Sequence, residues 1–337
     1  MIRFIDGFDL YATADLPRRY NYYGGFLISP AAGRFGSGAI SHEDSLGQRF
    51  FGKFFNSQPT WIIGFSVKFT AIDGKVNICV LQDSGNAQVE LGIDVNSHLA
   101  VYRNGTLLAT GASTIFSGVF YYIEWKVTIA TSIAANSCKV RLGGVDEIII
   151  PASSNTDANA SGVANRVLFG GAVYPGYHVF GDLVIMDGTG TVNNDFLGDQ
   201  RVESLRPTGA GSHTDMALTG AATNWQAVSE AVEDGDTSYV STGTLNQIDT
   251  YAIADLSNTP LSVAGVQITI LNRKDDAGSR GAAVVLRSGG VDYSGPSFGV
   301  ADSYLASSAV WEVDPNTSAA WTGTSVNALE AGVKLVS

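Results

Sequence analysis

Carboxylates are the residues of this chain whose spacing most invites a chemical reading. Hydrolysis of a glycoside with retention needs two carboxyl groups about 5–5.5 Å apart, and inversion about 6.5–9.5 Å. Glu90-Leu91-Gly92-Ile93-Asp94 comes nearest to such a pair. On a strand Glu90 and Asp94 share a face, but the rise per residue holds them roughly 13 Å apart. A solvated strand face accounts for them better than catalysis does, and Glu124, beside Lys126, reads the same way. Asp182, Asp187 and Asp195, with Asn193 and Asn194, offer the hard oxygen donors that calcium takes. The same residues also read as turn formers, in Asp187-Gly188-Thr189-Gly190 and Asn193-Asn194-Asp195. The acidic run Glu233–Asp236 lacks the spacing of an EF-hand loop.

Other chemistries find less support. No G-x-S-x-G elbow accompanies the histidines, and His42 falls in the polar stretch Ser41-His42-Glu43-Asp44. Gly33-Arg34-Phe35-Gly36-Ser37-Gly38 is glycine-rich but lacks the Lys-Ser/Thr ending of a phosphate loop. His42, His98, His178 and His213 show no ligand spacing with Cys79 and Cys138, so no zinc site is read. Each cysteine sits in an apolar run, which favours two buried thiols over a disulfide. Tyr20, Tyr22, Tyr23, Phe26, Phe50, Phe51, Phe54 and Phe55 crowd the first 55 residues. They read as core, as a protein interface, or as a platform for sugar rings.

These residues must be positioned by strands. The chain has 337 residues, 45% hydrophobic and 15% charged, with 39 glycines and 9 prolines. That length suits two domains, and that composition suits many short strands joined by tight turns. Phe65, Val67 and Phe69 alternate with Ser66 and Lys68; Tyr121, Ile123, Trp125, Val127 and Ile129 alternate with Tyr122, Glu124, Lys126 and Thr128. Asn104-Gly105 between two apolar arms predicts a hairpin with a type I′ turn. Further strands are predicted near Val76–Leu81, Val89–Ile93, Cys138–Leu142, Arg166–Phe169 and Val179–Met186. The sum is an all-β chain. Arg206–Ser212 breaks the pattern and reads as a linker between domains spanning 1–205 and 213–337. In the second half, strands near Asp249–Ala254 and Ala282–Arg287 and a short helix at Ser325–Leu329 are predicted.

The net charge of −12 excludes the positive footprint of a nucleic-acid binder. Arg3, Asp6 and Asp9 interrupt the start, so no signal peptide is read, and no apolar run approaches the roughly 20 residues of a membrane helix.

The stretch Phe180–Gly211 contains a D-G-x-G turn (Asp187–Gly190), an N-x-F-L-G-D-x-R-V segment (Asn194–Val202) and an L-R-P exit (Leu205–Pro207). With Ile5-Asp6-Gly7-Phe8-Asp9, Tyr11 and Gly33–Gly38, it resembles virion proteins of tailed bacteriophages that carry a concanavalin A-like (laminin-G-like) jelly roll. The resemblance covers about the first 210 residues well and the rest more loosely. It implies a concanavalin A-like jelly-roll sandwich followed by a second, smaller β-sandwich. It further implies a non-enzymatic structural component of the particle exterior, in the tail (minor tail or fibre component) sooner than as capsid decoration. A glycan-binding module or glycan depolymerase is the competing reading. The expected location is the virion, assembled in the host cytoplasm. Expected partners are other virion proteins, copies of the chain itself (a trimer on a fibre) and a host-surface glycan, with no nucleic acid and no membrane insertion. No cofactor is expected beyond calcium. Laminin-G-like domains that bind glycans use the loop rim or a sheet face, which here would recruit Asp187, Asn193 and Asn194 with Tyr174 or Tyr177 as a stacking partner.

Overall fold

The computed structural model describes all residues except 43–46, 131–136, 152–153 and 174–177, and for 47, 48, 172 and 173 only the strands that contain them. Alternating polarity becomes antiparallel sheet throughout. In chain order the first unit begins with β1 (Ile2–Asp6), the helical turn α1 (Leu16–Arg19), β2 (Tyr22–Gly24), β3 (Phe26–Ser29) and β4 (Ala39–His42). It continues with β5 (Gly47–Gln58), β6 (Thr60–Phe69), β7 (Val76–Asp83), β8 (Asn86–Ile93), β9 (His98–Arg103) and β10 (Thr106–Thr114). The last strands are β11 (Phe120–Thr128), β12 (Ser137–Leu142), β13 (Val145–Ile150), β14 (Ala164–Val173) and β15 (His178–Asp187).

They form two sheets. The larger runs β13-β12-β11-β6-β15-β4-β3 with β1 also paired to β15, and the smaller runs β10-β9-β8-β7-β14-β5-β2. Alternate residues of both sheets meet in one core, where Phe51 stacks on Phe169 at 5.0 Å and Trp61 and Trp125 are fully buried. Each indole N–H finds an acceptor, Ala164 O for Trp61 and Cys138 Sγ for Trp125, as buried donors require. Cys79 and Cys138 are buried free thiols. At the predicted hairpin Asn104 and Gly105 take φ of 42° and 83°, the positive pair of a type I′ turn.

The N-terminal motif is a buried knot. The Asp6 carboxylate accepts from Phe8 N–H, from the Tyr11 hydroxyl at 3.0 Å and from the Tyr20 hydroxyl at 2.8 Å. Asp9 Oδ1 accepts from Gly38 N–H at 2.6 Å, and a Cβ on Gly38 would stand 2.2 Å from Phe8 O. Gly33 and Gly38 thus serve close backbone packing, while Gly36 takes a φ of 77°.

The second unit spans Glu203–Ser337. Its strands are β16 (Pro207–Thr214), β17 (Ala217–Thr219), β18 (Tyr239–Ser241), β19 (Ile248–Ile253), β20 (Val266–Asn272) and β21 (Gly281–Ser288). Then come β22 (Val291–Gly299), β23 (Leu305–Trp311), α2 (Gly323–Asn327) and β24 (Glu330–Leu335). The sheet β16-β19-β24-β21-β22 and the ribbon β20-β23 enclose a core around Ile268, Val284, Leu286 and Trp321. The sequence assigned 206–212 to a linker. Instead the first unit ends at Val202, and Pro207–Thr214 is a strand paired with β19. Gly211, which reads as a chain breaker, allows the close pairing: a Cβ there would lie 2.4 Å from Thr250 O.

Candidate functional site

The segment after β15 lies across the outer face of the larger sheet as a strap. Lys126 pairs with Asp195 at 3.0 Å, the Arg141 guanidinium sits 4.3 Å over the Phe196 ring, and Glu124 Oε1 accepts from Leu197 and Gly198 N–H. Arg34 reaches Asp182 and Asp199, and Asp182 Oδ1 accepts from Val202 N–H. Asp187 anchors the start, taking Arg3, the N-terminal ammonium and both donors of Thr189. These contacts account for the residue pattern of Asp187–Val202.

This geometry gives the aspartates expected as calcium ligands protein partners. Asp182, Asp187 and Asp195 each face a protein cation, the first two within β15 and the third in the strap. Among the described residues no group of three His, Cys, Asp or Glu side chains could hold a metal. Asn194 donates to Gly190 O, and Asn193 O accepts from the N-terminus, so both fold the turn. Tyr174 and Tyr177 lie outside the described residues. Asp94 holds a turn by accepting from Asn96 and His98 N–H, and so makes no catalytic pair with Glu90.

Glu124 is not on a solvated face either. The strap leaves it 2% exposed, with Oε2 lacking a hydrogen-bond partner among the described residues. Burial raises its pKa against the pull of the Gly198 and Leu197 N–H groups. A carboxyl whose folded pKa lies above its unfolded value costs stability once pH exceeds the unfolded value. Glu124→Gln, which keeps an acceptor for both N–H groups, is therefore expected to match or exceed the wild-type urea midpoint at pH 8 and to lose that advantage near pH 4. A lower midpoint than wild type at pH 8 would contradict this.

The smaller sheet presents a different outer face. Tyr22, Gly52, Leu168, Val80, Glu90, Tyr102 and Leu107 are successive cross-strand partners from β2 to β10. The adjacent line Phe51, Phe169, Cys79, Leu91 and Val101 points into the core, so this one faces outward. Val80, Leu168, Tyr102 and Glu90 are only 3–7% exposed, so the middle of the line is covered, whereas Tyr22 is 46% and Phe54 38% exposed. Phe54 pairs with Arg166, whose guanidinium lies 4.4 Å over its ring, and Lys75 Nζ lies 3.7 Å over Tyr102. Burial raises the Tyr102 pKa, with Asp94 and Glu90 adding to it, so the hydroxyl stays a neutral donor.

A polar cleft of about 270 Å³ lined by Arg103, Asn104, Thr106, Asn155, Asp157 and Ala158 opens at the β9–β10 hairpin, on the other side of the sheet, since Arg103 and Thr106 share the register of core residue Val89. Arg103 donates to Asn155 O, and Asn155 Oδ1 accepts from Asp157 N–H, which fixes the wall. Glu90 Oε1 accepts from Gly105 N–H at 3.1 Å and ties the hairpin to the face. Aromatic rings beside a guanidinium can stack on the C–H face of a sugar ring and orient its hydroxyls. Sequence reasoning offered Tyr22 and Phe54 as a sugar platform but missed Val80, Leu168 and Tyr102. Only the Tyr102–Leu107 step was available to it, through the hairpin register.

No known family matches the chain, and no curated protein does. Solved structures with a similar fold include a sialidase (9% identity over 54% of this chain, TM-score 0.41) of which the match spans only 18%. A galectin-like protein of unknown function from Bacillus subtilis is 14% identical over 55% of this chain and 96% of its own, with a TM-score of 0.39. An alginate lyase of polysaccharide lyase family 7 is 14% identical over 49% of this chain and 84% of its own, with a TM-score of 0.35. The expectation of a protein without enzymatic activity is corrected by them: enzymes stand among the structures that share the fold, so the fold excludes no activity.

Proposed function

We propose that the outward face of the smaller sheet binds carbohydrate. The observation that carries this reading is the pair of exposed rings at the β2–β5–β14 end of the line, Tyr22 and Phe54, with the Arg166 guanidinium 4.4 Å over Phe54. Exposed rings beside a guanidinium suit a ligand with both apolar C–H and hydroxyl surfaces. A glycan array probed with the whole chain and with Tyr22→Ala/Phe54→Ala tests it. Affinity for the bound glycan is expected to fall roughly tenfold or more in the variant, since each stacking ring contributes about 0.5–1.5 kcal/mol. Both side chains are exposed, so folding is expected to be intact. The reading fails if no glycan binds, or if the variant binds as well as wild type. Following the chain length of the bound glycan over time separates recognition from turnover.

A place on the exterior of a tailed-phage particle is a second proposal, about setting and not about chemistry. Its support is the resemblance in Asp187–Val202 and at Asp6–Asp9. Absence of the chain from purified particles would remove it.

A further inference from the structure

We infer that the carbohydrate taken by this face is a linear polysaccharide, bound lengthwise along β5 through its internal units; the inference rests on the carbohydrate-binding reading above. Phe50, Gly52 and Phe54 alternate with Lys53 and the core residue Phe51, so they share the outward side of β5. Tyr22 is the cross-strand partner of Gly52. Two residues of strand advance about 6.5–7 Å, so the rings of Phe50, Tyr22 and Phe54 succeed one another along a strip about 13 Å long. Phe50 is half-buried and the other two rings are exposed. Across the sheet the strip ends at once, because Leu168 and Val80 beyond it are 4% and 3% exposed. A ligand that meets all three rings therefore runs with the strand and not across it.

Nothing rises between the rings to interrupt such a ligand. Gly52 carries no side chain, and a Cβ there would lie 2.5 Å from Leu168 Cδ2. Gly24, the partner of Phe50, has open space where a Cβ would stand. The rings are also held in advance: Tyr22 meets Phe50 edge to face with centroids 6.2 Å apart, and the Arg166 guanidinium lies 4.4 Å over Phe54. Rings fixed before binding lose little freedom when a ligand arrives. A site that reads one terminal sugar encloses it and buries most of its surface. An open strip gains affinity by adding ring contacts, each worth about two- to tenfold, and only a chain of linked sugars collects the sum.

The test is a length series. Cello-, manno- and laminari-oligosaccharides of one to six units are titrated by calorimetry against the whole chain. In a series that binds, affinity is expected to rise with each unit to about the third, one per ring, and then to level off. Phe50→Ala is expected to lose about two- to tenfold for the longer members. Gly24→Val meets nothing in the folded chain but raises a side chain beside Phe50, and is expected to lose the same step even if Phe50→Ala fails to fold. A single sugar bound as tightly as its six-unit chain, with both abolished in Tyr22→Ala/Phe54→Ala, would overturn the inference while leaving the face a carbohydrate site. A length dependence unchanged in both Phe50→Ala and Gly24→Val would also overturn it. Binding to no series at any length overturns it as well, and the array then decides the wider reading.

Discussion

Replacing Arg34 with alanine is expected to lower the unfolding free energy by about 3–5 kcal/mol, the cost of stranding a buried charge. Arg34 Nε meets Asp182 Oδ2 at 3.2 Å, Nη1 meets Asp199 Oδ2 at 2.9 Å, and Nη2 donates to Gln200 O at 2.6 Å. The Asp182 side chain is fully buried, so without the guanidinium its charge keeps only the Val202 N–H for compensation among these contacts. The guanidinium also lies 5.0 Å from the Tyr122 ring centroid, which lysine could not replace with the same planar contact. In an Asp182→Asn background the same substitution should cost distinctly less, because no buried charge is left behind. Urea unfolding of the four proteins measures the coupling; additive losses would show that the strap is held elsewhere.

Stability is expected to fall as pH drops below about 6.5, the ordinary histidine value, because of two histidines that the fold keeps neutral. His42 was read from sequence as part of a polar loop. It lies instead in β4, 5% exposed, with Nε2 3.1 Å from His178 Nδ1 and its ring 4.2 Å from Phe26. The reason is pairing: β4 hydrogen-bonds to β15 and closes the sheet over the two rings. Burial, and then Arg49, lower the His42 pKa to about 4; burial, and then His42, lower that of His178 to about 3. Both folded values lie below the unfolded one. The unfolded chain therefore takes up protons that the folded chain refuses, and stability is lost from pH 6.5 downward at up to about 1.4 kcal/mol per pH unit for each group. Above pH 7.5 neither contributes a slope. Unfolding curves for His42→Gln/His178→Gln should be flatter than wild type between pH 6.5 and 4. Parallel curves would show that the pair is not held neutral.

What the sequence made legible was local. Asn104-Gly105 sets its own hairpin, and the alternation Tyr121–Ile129 fixes which side of β11 meets the core. Aromatic crowding near the N-terminus was visible too, but its division was not: pairing of β5 with β14 sends Phe51 inward and leaves Phe54 outside. Glu124 looked solvated because the strap that covers it arrives only at Leu197 and Gly198. The aspartates offered to calcium were indistinguishable from ligands until folding brought Arg3, Arg34 and Lys126 to them from distant parts of the sequence. The face on the smaller sheet is assembled from β2, β5, β14, β7, β8 and β9, and no short window of sequence contains it.

The central claim is that ligand meets this face and not the loop rim. Backbone amide chemical-shift mapping, during titration with the strongest-binding glycan from the array, tests it most directly. The account predicts shifts concentrated at Tyr22, Gly52, Phe54, Arg166 and Leu168. Shifts confined to Asp187–Asn194, or to the second unit, would contradict it.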